Sequence, residues 1–241
     1  MPRAELEQVR ARFLELAPEG FEEQEGDGEV ELAAYGDAAE RVLAAYPGAR
    51  TREVEVGWEE RWRDFHRPVR IGPLWVGPPW EPSPPGVVAV VIDPGRAFGT
   101  GAHPTTRLCL ELLLEQPAGS VLDVGCGSGV LAVAAAKLGH DPVLAVDVDP
   151  VAVAATRDNA ALNGVGVEAR ELDVLGGGLP PADLALANIA LREVETLGPR
   201  LEVARAVTSG YLVSEHVALG GFRHLERRVL DGWAADFHER R

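Results

Sequence analysis

Cysteine is scarce in this chain: Cys109 and Cys126 are the two among 241 residues, and no C-x-x-C pair occurs. That excludes a disulfide framework and a cysteine-held zinc site. Lysine is scarcer still, Lys137 standing alone among 23 basic residues, a bias of composition to which no mechanism attaches. Positive charge is in deficit, 23 Lys and Arg against 38 Asp and Glu for a net charge of −15. Direct gripping of nucleic acid needs the reverse balance, whereas a basic protein partner remains compatible. No apolar run reaches the roughly 18 residues of a membrane span. The first 20 residues read as a charged helix without the apolar core of a signal peptide, so a soluble, cytoplasmic protein is the expectation. Internal repeats and low-complexity tracts are lacking as well.

What is present is a glycine turn between a strand and a helix. Val121–Gly129 reads VLDVGCGSG, a buried strand running into Gly125, Gly127 and Gly129, where a missing Cβ lets a ligand lie against the backbone. Some 20 residues later a second strand, AVDVD over 145–149, ends in acids, and Asp147 has the spacing at which a mononucleotide unit holds ribose hydroxyls. Together these describe a pocket for an adenosine. A dinucleotide fingerprint would need a small residue in its sixth place, which counting from Gly125 is Val130. The pattern is instead D-x-G-x-G-x-G, with Asp123 reaching over the turn, where a carboxylate repels a pyrophosphate and suits a cation such as S-adenosylmethionine.

Residues 1–67 hold 17 acids and 9 bases and read as a small α+β domain: helix over 2–16, strand over 20–24, a Gly-Asp-Gly turn, strand over 29–35, helix over 37–46 and strand over 51–56. Trp58, Trp62 and Phe65 then form an aromatic stripe on a short helix, read as interdomain packing. Residues 68–94 are crowded with prolines and read as a stiff linker interrupted by a strand over 87–92. From 95 to 241 strands alternate with helices in the rhythm of an open parallel sheet, closed by a hairpin whose Asp231-Gly232 pair marks a two-residue turn.

The stretch 93–107, DPGRAFGTGAHPTTR, is a glycine-bearing loop feeding a helix N-terminus through Pro104. Phe98, Gly99 and Thr100 are placed to close over the methionine tail of the cofactor, with Arg96 and Phe98 as candidate lid residues. Thr105 and Thr106 read either as tail contacts or as ordinary caps, and His103 as a helix-entry residue bonded to backbone.

These segments, with DxDP at 147–150, RDNAxxNGV at 157–165 and ANI at 187–189, resemble the PrmA family, the ribosomal protein L11 methyltransferases. The resemblance runs from Trp58 to about Ile189 and is most specific in FGTGxHPTT. It implies an α/β fold, a seven-stranded Rossmann-like class I methyltransferase domain behind a small N-terminal α+β domain that recognises the substrate. It implies methyl transfer from S-adenosylmethionine to lysine ε-amines and the N-terminal amine of ribosomal protein L11. The family's cofactor contacts fall on Thr106, Gly125, Asp147 and Asn188. Gly127 and Asp123 complete the turn, Asp173 is a partner for the adenine amino group, and Asn188 is the candidate catalytic residue, accepting a hydrogen bond from the amine and aiming its lone pair. No metal is needed for such a transfer. Two departures stand out: Ile189-Ala-Leu where many members have Ile-Leu-Ala, and an N-terminal domain opening on a helix. The other readings are a methyltransferase for another protein or a small amine, and a nucleotide-binding module without catalysis.

Overall fold

A computed structural model of the protein describes residues 9, 12–13, 16, 22–26, 29–34, 37–46, 48–50, 67–94, 101–174 and 176–241. The strand expected over 51–56, the aromatic stripe of Trp58, Trp62 and Phe65, and Arg96, Phe98, Gly99 and Thr100 lie outside the described residues. The chain divides into two compact units, Met1–Trp58 and Glu59–Arg241.

In the first unit, β1 (Glu22–Gly26) pairs antiparallel with β2 (Glu29–Ala33), Gly26 facing Glu29. Helix α1 (Asp37–Ala45) follows and buries Ala38 and Val42, four residues apart on one face. The buried Phe13 sets its ring 6.0 Å from that of Tyr46, and Arg41 Nε donates to the Leu16 carbonyl at 2.6 Å. The helix expected over 37–46 is present as Asp37–Ala45, with its apolar face covered.

The proline-rich stretch 68–94 corrects the linker expectation. It carries β3 (Val69–Ile71), β4 (Leu74–Gly77) and β5 (Val88–Val91), a sheet in which β4 pairs antiparallel with β3 and parallel with β5. Ile71, Leu74, Val76, Val90 and Ile92 are buried in the main core of the second unit. The prolines punctuate the turns between these strands, while the apolar residues between them drive the segment inward, and a tethering role follows only where a segment has nothing to bury.

The second unit is built on a seven-stranded sheet. Its strands are β6 (Val121–Val124), β7 (Val143–Asp147), β8 (Glu168–Glu171), β9 (Ala182–Asn188), β10 (Val203–Leu212), β11 (Phe222–Leu230) and β12 (Trp233–Arg240), in the order β11-β12-β10-β9-β6-β7-β8. The run from β10 to β8 is parallel, and β12 lies antiparallel between β10 and β11. Asp231 and Gly232 take positive φ, 48° and 83°, the turn the DG pair foretells. Helices α2 (Pro104–Leu113), α3 (Val130–Lys137), α4 (Pro150–Asn163) and α5 (Leu191–Leu197) connect the strands. Pro104 and Pro150 open their helices at the position where a missing N–H costs nothing, and Asp149 caps α4 by accepting from Val151 N at 2.8 Å.

Alternate strand residues divide between two cores, the signature of a sheet buried on both faces. Val121, Val143, Ala145, Leu184, Leu186 and Val207 face one, and Leu122, Val124, Val146, Ala185, Ala187 and Ala206 face the other. Strand β10 bulges between Ser209 and Tyr211. The extra residue, Gly210, carries Tyr211 onto the face opposite to that its spacing from Val207 would give, where its hydroxyl meets Asp236 Oδ2 at 2.8 Å.

Candidate active site

A cavity of about 350 Å³ opens at the carboxyl ends of β6, β7 and β9, where open α/β sheets bind their ligands. Its lining includes Thr106, Asp123, Gly125, Gly127, Asp147, Asp173 and Asn188. These seven residues singled out from the sequence are gathered around one space, whereas Gly129 and Thr105 do not line it.

The glycine turn forms its floor. Gly125 has φ 71°, and a Cβ there would strike Ile189 Cγ2. Across the sheet, Gly210 has φ 105°, and a Cβ there would strike the Ile189 carbonyl. Ile189 is thus fitted between two glycines, with its N–H donated to Ser209 O at 3.1 Å, and this fixes the path of the chain leaving Asn188. Behind the turn, Thr156 Oγ1 donates to Gly127 O at 3.1 Å.

Two aspartates address the turn differently. Asp147 accepts from Gly127 N and from Asp149 N, each at 3.0 Å, so it anchors the turn with one oxygen and its own loop with the other. Asp123 is 1% exposed; its Oδ2 accepts from Ala132 N at 3.1 Å, while Oδ1 is buried without a hydrogen-bond partner. Burial lifts this carboxyl to about 7, with the donated Ala132 N–H opposing the rise and the charge of Asp147 adding to it. Burial likewise pushes the neighbouring Cys126 thiol up to about 12, so Cys126 is a small filler of the turn and no nucleophile at neutral pH.

On the opposite wall, α2 brings Thr106, which is 1% exposed, to Asn188 at the end of β9. Asn188 Nδ2 donates to Thr106 Oγ1 at 3.3 Å, leaving Oδ1 as the acceptor. The two threonines separate in role: Thr105 Oγ1 bonds His103 Nδ1 at 2.8 Å. His103 is the N-cap of α2, its ring accepting from Thr105 N at 3.4 Å, so the backbone-bonded reading holds for it, while Thr105 lies inside the helix and braces the cap through its hydroxyl. Asp173 follows β8 beside Leu172 and Val174, and its carbonyl accepts from Gly177 N at 2.9 Å.

Asn159 and Asn163 enter the reading of the sequence only as letters of the RDNAxxNGV motif, and the structure gives them a role. Asn163 brackets β5, accepting from Val91 N at 2.9 Å and donating to Val91 O at 2.6 Å. Asn159 accepts from Asp93 N at 2.9 Å and donates to Ser128 O at 2.9 Å, tying the start of the loop at 93 to the glycine turn. Their four-residue spacing on a helix, which puts both amides on one face, was the available signal. Glu193, in the first turn of α5, also lines the cavity and was not singled out.

The parallel sheet closed by an inverted strand, with a glycine turn and a ribose-spaced acid at its carboxyl edge, defines a class I, Rossmann-like methyltransferase domain. Comparison with known proteins narrows the class. The family model described as ribosomal protein L11 methyltransferase (PrmA) matches residues 25–219. Proteins named ribosomal protein L11 methyltransferase are 42% identical over 212 residues in Geobacter metallireducens and 37% identical over 228 in Myxococcus xanthus, covering 84% and 85% of this chain. The chain spans 65% of the first relative and 78% of the second, and 51% of a third from Azotobacter vinelandii that is 47% identical over 150 residues. A solved ribosomal protein L11 methylase from Lactobacillus delbrueckii subsp. bulgaricus superimposes with a TM-score of 0.63 at 29% identity, covering 73% of this chain and 100% of its own. The chain belongs to the ribosomal protein L11 methyltransferase family.

Proposed function

We propose that the protein transfers methyl groups from S-adenosylmethionine to lysine ε-amines and the N-terminal amine of ribosomal protein L11, acting in the cytoplasm. The observation that carries this reading is the single cavity in which Asp147, the glycine turn, the orphaned Asp123 oxygen and the Thr106-oriented Asn188 amide meet. The residues present suit this cofactor. No Lys or Arg stands among the described lining residues, four carboxylates do, and Gly125 leaves the backbone bare. Such a cavity attracts a cation and repels a phosphate.

In this reading Asp147 holds the ribose hydroxyls, Asp173 the adenine amino group, and Thr106, Asp123, Gly125 and Gly127 the remainder, with Phe98, Gly99 and Thr100 closing over the tail. When bound, the cofactor supplies a methyl already activated on sulfonium. The chain's own task is alignment: Asn188 Oδ1 accepts a hydrogen bond from the amine and directs its lone pair into the cavity. A lysine is charged at neutral pH, and its proton passes to solvent before attack; the apolar wall formed by Leu172, Val174 and Ile189 favours the neutral amine.

Residues 1–67 act as the substrate-docking domain in this proposal. The sequence concentrates Glu22, Glu23, Glu25, Asp27, Glu29 and Glu31 in this hairpin stretch, and such acidic charge steers a basic ribosomal protein. Radiolabelled methyl transfer into ribosomal protein L11, compared with free amines and with other ribosomal proteins, tests the function. Label in ribosomal protein L11 is the expected outcome, and label in free amines alone would replace it with a small-amine methyltransferase.

A further inference from the structure

Among the described residues, four side-chain atoms are buried without a hydrogen-bond partner: Arg107 Nε, Asp123 Oδ1, Glu193 Oε2 and Arg227 Nε. Two of them, on Asp123 and Glu193, belong to residues lining the same cavity. A carboxylate short of donors is costly, and one carried by a residue that lines an open cavity is placed to take a donor that arrives there. The second cavity, of about 320 Å³ and lined in part by His224, His238 and Arg241, differs in this respect. It holds none of these orphaned atoms, and its imidazoles are engaged: His224 Nε2 with Asp236 Oδ1 at 2.7 Å and His238 Nε2 with Thr208 Oγ1 at 3.1 Å.

Two ordinary explanations of Glu193 fall short. A glutamate in the first turn of a helix often reaches back to bond the backbone at the N-cap, but Glu193 Oε2 bonds nothing. A glutamate retained for solubility would hold its whole head in bulk water, whereas Glu193 is half-buried, with Oε2 covered, and lines the cavity.

The two orphaned oxygens sit on different parts of the site. Asp123 lies next to the last residue of β6, before the glycine turn and on the side read as holding the cofactor. Glu193 lies five residues after Asn188 on the segment leaving β9, the side that carries the amine-aiming amide. We propose that Glu193 is the acceptor-docking carboxylate of the site: its carboxylate, which lines the cavity and has no protein partner for Oε2, receives the ammonium of the incoming amine and so selects cationic amines over neutral acceptors. This rests on the methyl-transfer reading above. Docking the ammonium here leaves Asn188 to orient the amine once it has lost its proton, so recognition and alignment fall to two side chains of one segment.

The test uses the full chain and two variants, Glu193→Gln and Glu193→Asp. Steady-state methyl transfer into ribosomal protein L11, calorimetric binding of S-adenosylhomocysteine, and the melting temperature are measured side by side. Glu193→Gln should raise the acceptor KM about tenfold or more, the scale of one lost charge-assisted hydrogen bond, with S-adenosylhomocysteine affinity retained. Its melting temperature should not fall, because Oε2 has no protein partner to lose, and Glu193→Asp should recover part of the acceptor affinity. An unchanged KM in a Glu193→Gln enzyme that still methylates would overturn this assignment and leave the proposed function standing. A loss of S-adenosylhomocysteine affinity at unchanged KM would also overturn it, by moving Glu193 to the cofactor. Wild-type protein that binds S-adenosylhomocysteine but transfers no methyl group would overturn the proposed function, and this assignment with it.

Discussion

Asn188 Nδ2 donates to Thr106 Oγ1 at 3.3 Å, joining the end of β9 to the first turn of α2. In the proposed reaction the bond decides which end of the amide faces the acceptor amine, so the two side chains should act as a pair. Asn188→Ala should lower kcat by a larger factor than it raises the cofactor Kd, as the loss of an alignment contact does. Thr106→Val should move kcat in the same direction by less, and the double variant should cost less than the sum of the two. Additive effects in that cycle would separate the residues.

Asp147 is asked to do two things, and the structure shows one of them: its oxygens accept from Gly127 N and Asp149 N. With the ribose contact added, Asp147→Ala should weaken S-adenosylmethionine by about tenfold or more, on the scale of 1.5–3 kcal/mol for a charge-assisted bond. Calorimetry on a variant with an unchanged circular dichroism spectrum measures it; undiminished affinity would remove Asp147 from the cofactor site.

Asp123 makes the site pH-sensitive. With its carboxyl held up at about 7 by burial, the native protein keeps a proton that the unfolded chain releases near its ordinary value of about 4. The native state then binds more protons than the unfolded state between those values, so this residue's contribution to stability falls as pH rises from about 4 to about 7 and is level above. A cationic ligand beside Oδ1 favours the carboxylate, so cofactor affinity should climb with pH over the same window, with protons released on binding. Melting temperature and calorimetric affinity across pH 5 to 8 should show both trends, roughly opposed, and Asp123→Asn should flatten them. A wild-type affinity independent of pH would contradict the assignment.

Gly210 holds the bulge that lets β10 pass the Ile189 carbonyl. Its φ of 105° is open to glycine alone, and a methyl group would press on backbone. Gly210→Ala should cost about 2 kcal/mol or more and depress turnover by shifting Asn188. An unaltered melting temperature with full activity would show that the bulge is dispensable.

The docking role proposed for the first unit predicts salt dependence. Acceptor KM should rise as salt screens the hairpin acids over roughly 10 Å at 0.1 M, and the double variant Glu22→Gln, Glu25→Gln should weaken that dependence while leaving cofactor affinity alone. A KM indifferent to salt would remove the steering role.

Much of the second unit was legible because its signals are local. The glycine turn, the strand alternation, the Asp231-Gly232 hairpin and the acid at 147 each report a short-range requirement of backbone or register. The proline-rich stretch was misread because proline density is visible in sequence, while the burial of Leu74, Val76 and Val90 depends on helices contributed from residues 104–163. The role of Asn159 is hidden in its motif for the same reason: its partners, Asp93 and Ser128, lie 66 and 31 residues away. Glu193 gave no signal at all, since a glutamate in a first helical turn is ordinary until one sees which cavity it lines.

The central claim is methyl transfer to amines of ribosomal protein L11, and intact-mass and peptide mass spectrometry of that protein tests it most directly. Incubation with S-adenosylmethionine and the full chain should add whole methyl groups that map to lysine side chains and the N-terminal amine, and Asn188→Ala should add markedly fewer in the same time. An unmodified ribosomal protein L11 after incubation with folded, cofactor-binding enzyme would contradict the account.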